Sequence, residues 1–167
     1  CVIDTDHVNN TGTSNDHYAF FFKSCETCRF TNLRVIGSNN GFCLKGIIGG
    51  IFEFLNITPS IDDTKGRYYW IDNSITNASI TLHTCKGSHV SNDNNISGIY
   101  IDNSVASNNS GSDLHFIECE FAGVEYGIFY DKTNGSYNSN IVFDNCVFDV
   151  IWGYLINFNN AISPQAR

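Results

Sequence analysis

The tetrapeptide IDNS occurs twice, at residues 71–74 and 101–104, each time behind an aromatic residue, Trp70 or Tyr100. Weaker forms of the phrase stand at AFFFKS (19–24), GFCLKG (41–46), GIFYDKT (127–133) and GYLINFN (153–159). A second phrase lies between them: CRFTNLRV (28–35), FEFLNITP (52–59), ITLHTCKG (80–87), LHFIECEF (114–121) and IVFDNCVF (141–148). The two phrases alternate strictly along the chain, which limits the folds open to it more than any other feature. Both phrases alternate apolar and polar residues with period two, so each is a predicted strand. The stretches between them, such as SVASNNSGSD and KTNGSYNSN, have loop composition. No segment carries a convincing helical apolar stripe with caps.

An antiparallel sandwich would not repeat one template in one order. A unit of roughly 22–34 residues with short strands and uneven loops fits a parallel β-solenoid, all-β, of about six coils. With strands about 4.8 Å apart it would rise on the order of 30 Å. Aligned columns support this. In the second phrase the inward apolar place falls on Leu33, Ile57, Cys85, Cys119 and Cys146, preceded by Asn32, Asn56, Thr84, Glu118 and Asn145. A polar ladder beside an apolar one suits a tight bend, because Asn tolerates left-handed backbone geometry.

The Asn-bearing bend, the G-I-x-I strand starts and the stacked like residues resemble the right-handed parallel β-helix of pectate lyases and phage tailspikes. The resemblance covers about residues 19 to 160. The segment KSCETCRFTNLRVIGSNNGF is similar to coils of phage tail and appendage proteins. On this basis residues 1–18 are an irregular N-terminal segment or partial coil, 19–160 a parallel β-helix, and 161–167 a tail or linker to a further domain. The resemblance implies the fold and leaves the activity open, because the fold hosts many chemistries.

Composition narrows the partners. The 167 residues carry a net charge of −8, with a pI of about 4.8, so a nucleic-acid backbone is not an expected partner. Only 16% of residues are charged, while Asn alone accounts for 22 and aromatics for 14%. Such aromatic content argues against disorder. No stretch approaches the roughly 20 apolar residues of a membrane helix, so membrane insertion is not expected. The first residue is Cys rather than Met and no signal peptide is visible, so the chain reads as a piece of something longer.

The seven cysteines include a CxxC, Cys25 and Cys28. That spacing serves zinc half-sites and redox motifs. The other cysteines fall in different coils, and Cys85, Cys119 and Cys146 share a core column, so small core hydrophobes are the expectation. An odd number scattered through stacked coils makes a poor disulfide framework, pointing to synthesis in a reducing cytoplasm. His83 and His115 fall on outward positions of neighbouring coils, with Thr81 and Glu53 in adjacent register. Such a pair can serve a metal or a reaction, but no third ligand is evident and no metal is assigned.

Placed in register, the first phrase turns Phe22, Leu44, Ile71, Ile101, Tyr130 and Ile156 inward. Their neighbours then face outward. One outward column holds Phe21, Cys43, Trp70, Tyr100, Phe129 and Leu155. The other holds Lys23, Lys45, Asp72, Asp102, Asp131 and Asn157. IDNS repeats because neighbouring coils build the same surface. An exposed aromatic stripe (Phe21, Trp70, Tyr100, Phe129) marks a contact site for a glycan or for another copy of the chain, unless loops 103–113 or 132–140 cover it. Asp72, Asp102 and Asp131 are candidate catalytic carboxylates, since stacked rungs bring them near the roughly 5 Å spacing of retaining glycosidases. Ca²⁺ is an alternative occupant of that column.

The expectation is therefore a phage tail fibre, tailspike or appendage domain that recognises a host cell-surface polysaccharide, with depolymerase activity as an extension. It would be made in the bacterial cytoplasm, carried on the virion, and assembled as a homotrimer beside other tail proteins. The alternatives are a secreted polysaccharide lyase or glycoside hydrolase of the same fold, and a purely structural trimeric shaft.

Overall fold

A computed structural model describes residues 2–4, 18–36, 40–58, 66–88, 96–103, 113–131 and 140–159. Their regular structure is strand alone: β1 (Val2–Asp4), β2 (Phe20–Glu26), β3 (Arg29–Thr31), β4 (Arg34–Ile36), β5 (Asn40–Glu53), β6 (Asn56–Thr58), β7 (Gly66–Asp72), β8 (Ala78–His83), β9 (Lys86–Ser88), β10 (Ile96–Asp102), β11 (Asp113–Ile117), β12 (Glu120–Asp131), β13 (Asn140–Asp144) and β14 (Val147–Asn159). They form one strongly curled sheet. Every pairing is parallel except that of β1, which lies antiparallel along Phe21–Lys23 of β2.

The pairings define three stacks. The first runs β2, β5, β7, β10, β12, β14. The second runs β3, β5, β8, β11, β13. The third runs β4, β6, β9, β12, β14. The long strands β5, β12 and β14 turn corners and serve two stacks each. An all-β solenoid-like arrangement of parallel strands is thus what the period-two phrases produce.

In the first stack Phe22, Leu44, Ile71, Ile101 and Tyr130 pair in register and are buried at 0–1% exposure. Burial of each such side chain contributes about 1.5–3 kcal/mol. The sixth member is Phe158, not Ile156, which pairs instead with Ile128. A register shift in the β12–β14 pairing, where Val124 faces Ile151 and Tyr126 faces Tyr154, displaces the last rung relative to the repeated Gly. Leu155 and Asn157 are displaced with it. Asn157 stands beside Phe129, and Asn159 beside Asp131.

The bend between the second and third stacks is made by one residue per rung in the left-handed region: Asn32, Phe54, Thr84, Glu118 and Asn145, with φ between 51° and 60°. The N–H of the first four donates to the carbonyls of Glu53, His83, Ile117 and Asp144 in the next rung, so hydrogen bonding continues through the corner. The following residues, Leu33, Leu55, Cys85, Cys119 and Cys146, turn inward. The second rung corrects the expected column: Phe54 and Leu55 hold the places assigned to Asn56 and Ile57. Ile57 is also buried, but one strand further on, between Val35 and Gly87.

The cysteine column is as expected. Cys85, Cys119 and Cys146 are free thiols. Their Sγ atoms donate to the carbonyls of Phe52, Leu82 and Phe116 at 3.3, 3.3 and 3.2 Å. The disulfide expectation needs one correction, since Cys25 is disulfide-bonded. Cys28 is free, so CxxC is not closed on itself.

The Asn of IDNS has its own role. Asn73 and Asn103 are buried at the corner after the first stack. Asn73 Nδ2 donates to Asn103 Oδ1 at 2.7 Å, and Asn77 Nδ2 donates to Asn73 Oδ1 at 2.8 Å. Asn77 Oδ1 accepts the Ile47 N–H at 2.7 Å. A buried amide needs such partners, because leaving one unsatisfied costs about 1–3 kcal/mol.

Candidate functional site

The first stack has an outer face built from three columns. Phe21, Cys43, Trp70, Tyr100 and Phe129 are in register, as are Lys23, Lys45, Asp72, Asp102 and Asp131. The third column, Asn40, Arg67, Ser97, Tyr126 and Tyr154, was not legible from alternation. Strict period two would put Arg67 inside with Tyr69 and Ile71. The strand turns into the corner here, so Tyr68 and Tyr69 are both buried and Arg67 is returned to the outside.

Trp70 and Cys43 lie outside the interior cluster yet are buried, Trp70 at 7% exposure. They belong to a separate outer layer. Tyr18 packs edge-on against Trp70 at 4.8 Å between centroids, and against Phe21 at 5.9 Å. The Arg67 guanidinium sits 3.8 Å from the ring centroids of both Trp70 and Tyr100, a cation–π arrangement. Arg67 Nη1 and Trp70 Nε1 are buried there without an acceptor among the described residues. Of the segments expected to cover the stripe, residues 104–112 and 132–139 lie outside those described.

The rings use most of their faces on each other. Tyr100 and Phe129 stack at 5.3 Å with planes 3° apart, Tyr126 meets Phe129 edge-on at 5.1 Å, and Tyr126 and Tyr154 are parallel within 2° at 6.5 Å. The accessible end of the series is Tyr154, 65% exposed on the last rung. The aromatic surface open to a partner therefore lies at Phe129, Tyr126 and Tyr154 rather than at Trp70.

The carboxylate column is partly engaged. Asp72 accepts from Lys45 Nζ at 2.9 Å and from the Ser74 N–H at 2.8 Å. Asp131 accepts from the Tyr100 hydroxyl at 2.9 Å. Burial chiefly, and then the Asp131 hydrogen bond, hold the Tyr100 hydroxyl well above its ordinary pKa despite the opposing pull of Arg67, so it remains a donor. Burial likewise pushes the Cys43 thiol up, with Asp72 adding to it, so Cys43 is no nucleophile at neutral pH.

The histidines do not form a pair. His83 stands in a column with Glu53 and Ile117, His115 in one with Thr81 and Val142. His83 Nδ1 lies 3.5 Å from Glu53 and Nε2 3.5 Å from Glu118, while Arg29 Nη2 bridges Glu53 at 2.6 Å. The Arg29 guanidinium holds the Glu53 carboxyl below the usual carboxylate value, against a smaller effect of burial. Among the described residues no group of three or more His, Cys, Asp or Glu side chains is placed to hold a metal ion. Compared with known proteins, the chain matches no family model, no curated protein and no solved structure.

Proposed function

We propose that the curled parallel sheet is a right-handed β-helix of about six coils, that it belongs to a phage tail fibre, tailspike or appendage, and that its outer face recognises a host cell-surface polysaccharide. The observation that carries the reading is the run of rings on the first stack, Tyr100, Phe129, Tyr126 and Tyr154, outside the core and flanked by Asp102 and Asp131. Sugars offer flat C–H faces to rings and hydroxyl donors to carboxylates, so such a surface fits them.

Recognition is favoured over cleavage. A glycosidase uses two carboxyl groups flanking the scissile bond. Here Asp72 is committed to Lys45 and a backbone N–H, and Asp131 to Tyr100. Association with further copies or tail proteins belongs to the same reading. β14 pairs only with β12 among the described residues, and it exposes Val147, Val150, Leu155 and Phe158.

A glycan array on the purified chain, with parallel reducing-sugar and unsaturated-uronate assays, tests the proposal. Binding without cleavage is expected. Cleavage that Asp102→Asn abolishes while binding persists would instead make the chain a depolymerase. Absence of any glycan binding in a particle that is trimeric by light scattering would support the structural shaft.

A further inference from the structure

We infer that the saccharide this face takes is neutral and hydroxyl-rich, seated on Tyr154 and Tyr126 at the last rungs of the first stack. The inference rests on the glycan-binding reading and specifies its substrate class. Ring access sets the place. Tyr154 is the ring in the outer series with a largely exposed surface, and Tyr126 stacks behind it. Glu125 precedes Tyr126 on the strand and holds its hydroxyl's pKa up, and Asn157 stands beside Phe129 on the neighbouring strand, so a sugar here meets a ring bordered by a carboxylate and an amide.

Charge sets the class. β12, β13 and β14 contain Glu120, Glu125, Asp131, Asp144 and Asp149 and no Lys or Arg. Among the described residues the cations of this face are occupied or distant. Lys45 is paired with Asp72, Arg67 is pressed against Trp70 and Tyr100, and Lys23 lies on the first rung. Lys86, at the corner of the third stack, pairs with Glu120 at 2.7 Å. A uronate or sialate polymer approaching Tyr154 would meet the like charge of Glu125 and Asp131, with no Lys or Arg on β12, β13 or β14 to neutralise it. A neutral saccharide brings hydroxyl donors, which a carboxylate-rich border accepts.

The test compares neutral polymers (dextran, mannan and neutral host-surface polysaccharides on an array) with polygalacturonate, polysialic acid and acidic host polysaccharides, with and without Ca²⁺. Binding confined to neutral members, and insensitive to ionic strength, is expected. Tyr154→Ala should weaken it about tenfold or more, as truncation of an aromatic anchor does, with no change in unfolding midpoint or in mass by light scattering. Glu125→Lys should add binding to polygalacturonate. A wild-type preference for acidic polymers, with or without Ca²⁺, overturns the inference and leaves the glycan reading intact. Unchanged affinity in Tyr154→Ala, or a change of mass, overturns the seat. No binding to any polymer overturns the glycan reading and the inference together.

Discussion

Tyr68 and Gly87 occupy one space in one rung: a Cβ on Gly87 would lie 2.1 Å from Tyr68 Cδ2. The relationship is reversed in the other rungs. Where the first stack places Gly41, Gly98 or Gly127 in the column of Tyr68, the third stack supplies Ile57, Phe121 or Phe148 in the column of Gly87. One large side chain fills each level from one side or the other. Gly87→Phe should therefore be severely destabilising through overpacking, by about 3 kcal/mol or more, above the typical range because the obstacle is a ring. Adding Tyr68→Gly should restore at least half of the loss. A double-mutant cycle in urea checks it, and additive losses would contradict the shared space.

Phe54 holds the left-handed bend position that Asn32 and Asn145 hold in other rungs, and it is 46% exposed. A β-carbon in that region costs about 1–2 kcal/mol, which Asn lessens. Phe54→Asn should raise stability by roughly 0.5–1 kcal/mol. Thermal unfolding of the two proteins compares them directly, and a lower midpoint would mean that the Phe54 contact with His83 outweighs the strain.

These two sites show why the sequence was legible in part. Five of six rungs of the first phrase could be aligned because each inward residue is apolar or aromatic and stands between an apolar or aromatic residue and a charged one. The alignment slipped by two residues at FEFLNITP, where an aromatic residue sits at a bend that composition assigns to Asn. It slipped again at GYLINFN, where a register shift separates Gly153 from the column of Gly127. Arg67 and Tyr126 were missed because the corner breaks period two, a backbone event that residue types do not announce. Trp70 lies outside the interior cluster yet is buried rather than exposed, because Tyr18 and Arg67 cover it, which alternation cannot bring together.

Thiol chemistry should follow the cysteine column. Cys146 is half-buried near the last rung, whereas Cys85 and Cys119 are enclosed. Native-state labelling should modify Cys146 well before either of the others, with mass spectrometry reading the order. Fast modification of all three would contradict the column. Cys119→Asp should prevent folding or cost more than about 4 kcal/mol, because it buries a charge without a partner.

The Arg29–Glu53 pair sets an acid-side dependence. The folded-state pKa of Glu53 is depressed below its ordinary value of 4.5, with the Arg29 hydrogen bond the largest cause. Its contribution to stability is therefore fully present above that value and is lost as pH falls through the lower folded-state value. The effect is small because Arg29 is largely exposed and screened. Arg29→Ala should be less stable than wild type at neutral pH, and the gap should close on acidification below about pH 4.5. Urea midpoints measured across that range check the sign, and a gap that widens in acid would exclude it.

Trp70 separates the architecture of the face from its use. Its ring is 7% exposed, in contact with Tyr18, Tyr100 and the Arg67 guanidinium. Trp70→Ala removes a buried ring and frees Arg67, so stability should fall by roughly 3 kcal/mol. Trp70→Phe keeps a support for the guanidinium and should recover much of it. Arg67→Met leaves Trp70 in place and removes the charge together with the buried Nη1, which lacks an acceptor among the described residues. It should be tolerated far better than Trp70→Ala, because replacing an unsatisfied buried donor by an apolar group of similar length is close to neutral. Glycan affinity measured below each variant's unfolding transition should change little in Trp70→Phe and Arg67→Met, since the accessible rings lie at Tyr126 and Tyr154. If Trp70→Ala left stability untouched and abolished binding, the ring would be a contact surface, and its cover by Tyr18 and Arg67 would have to open when the glycan arrives.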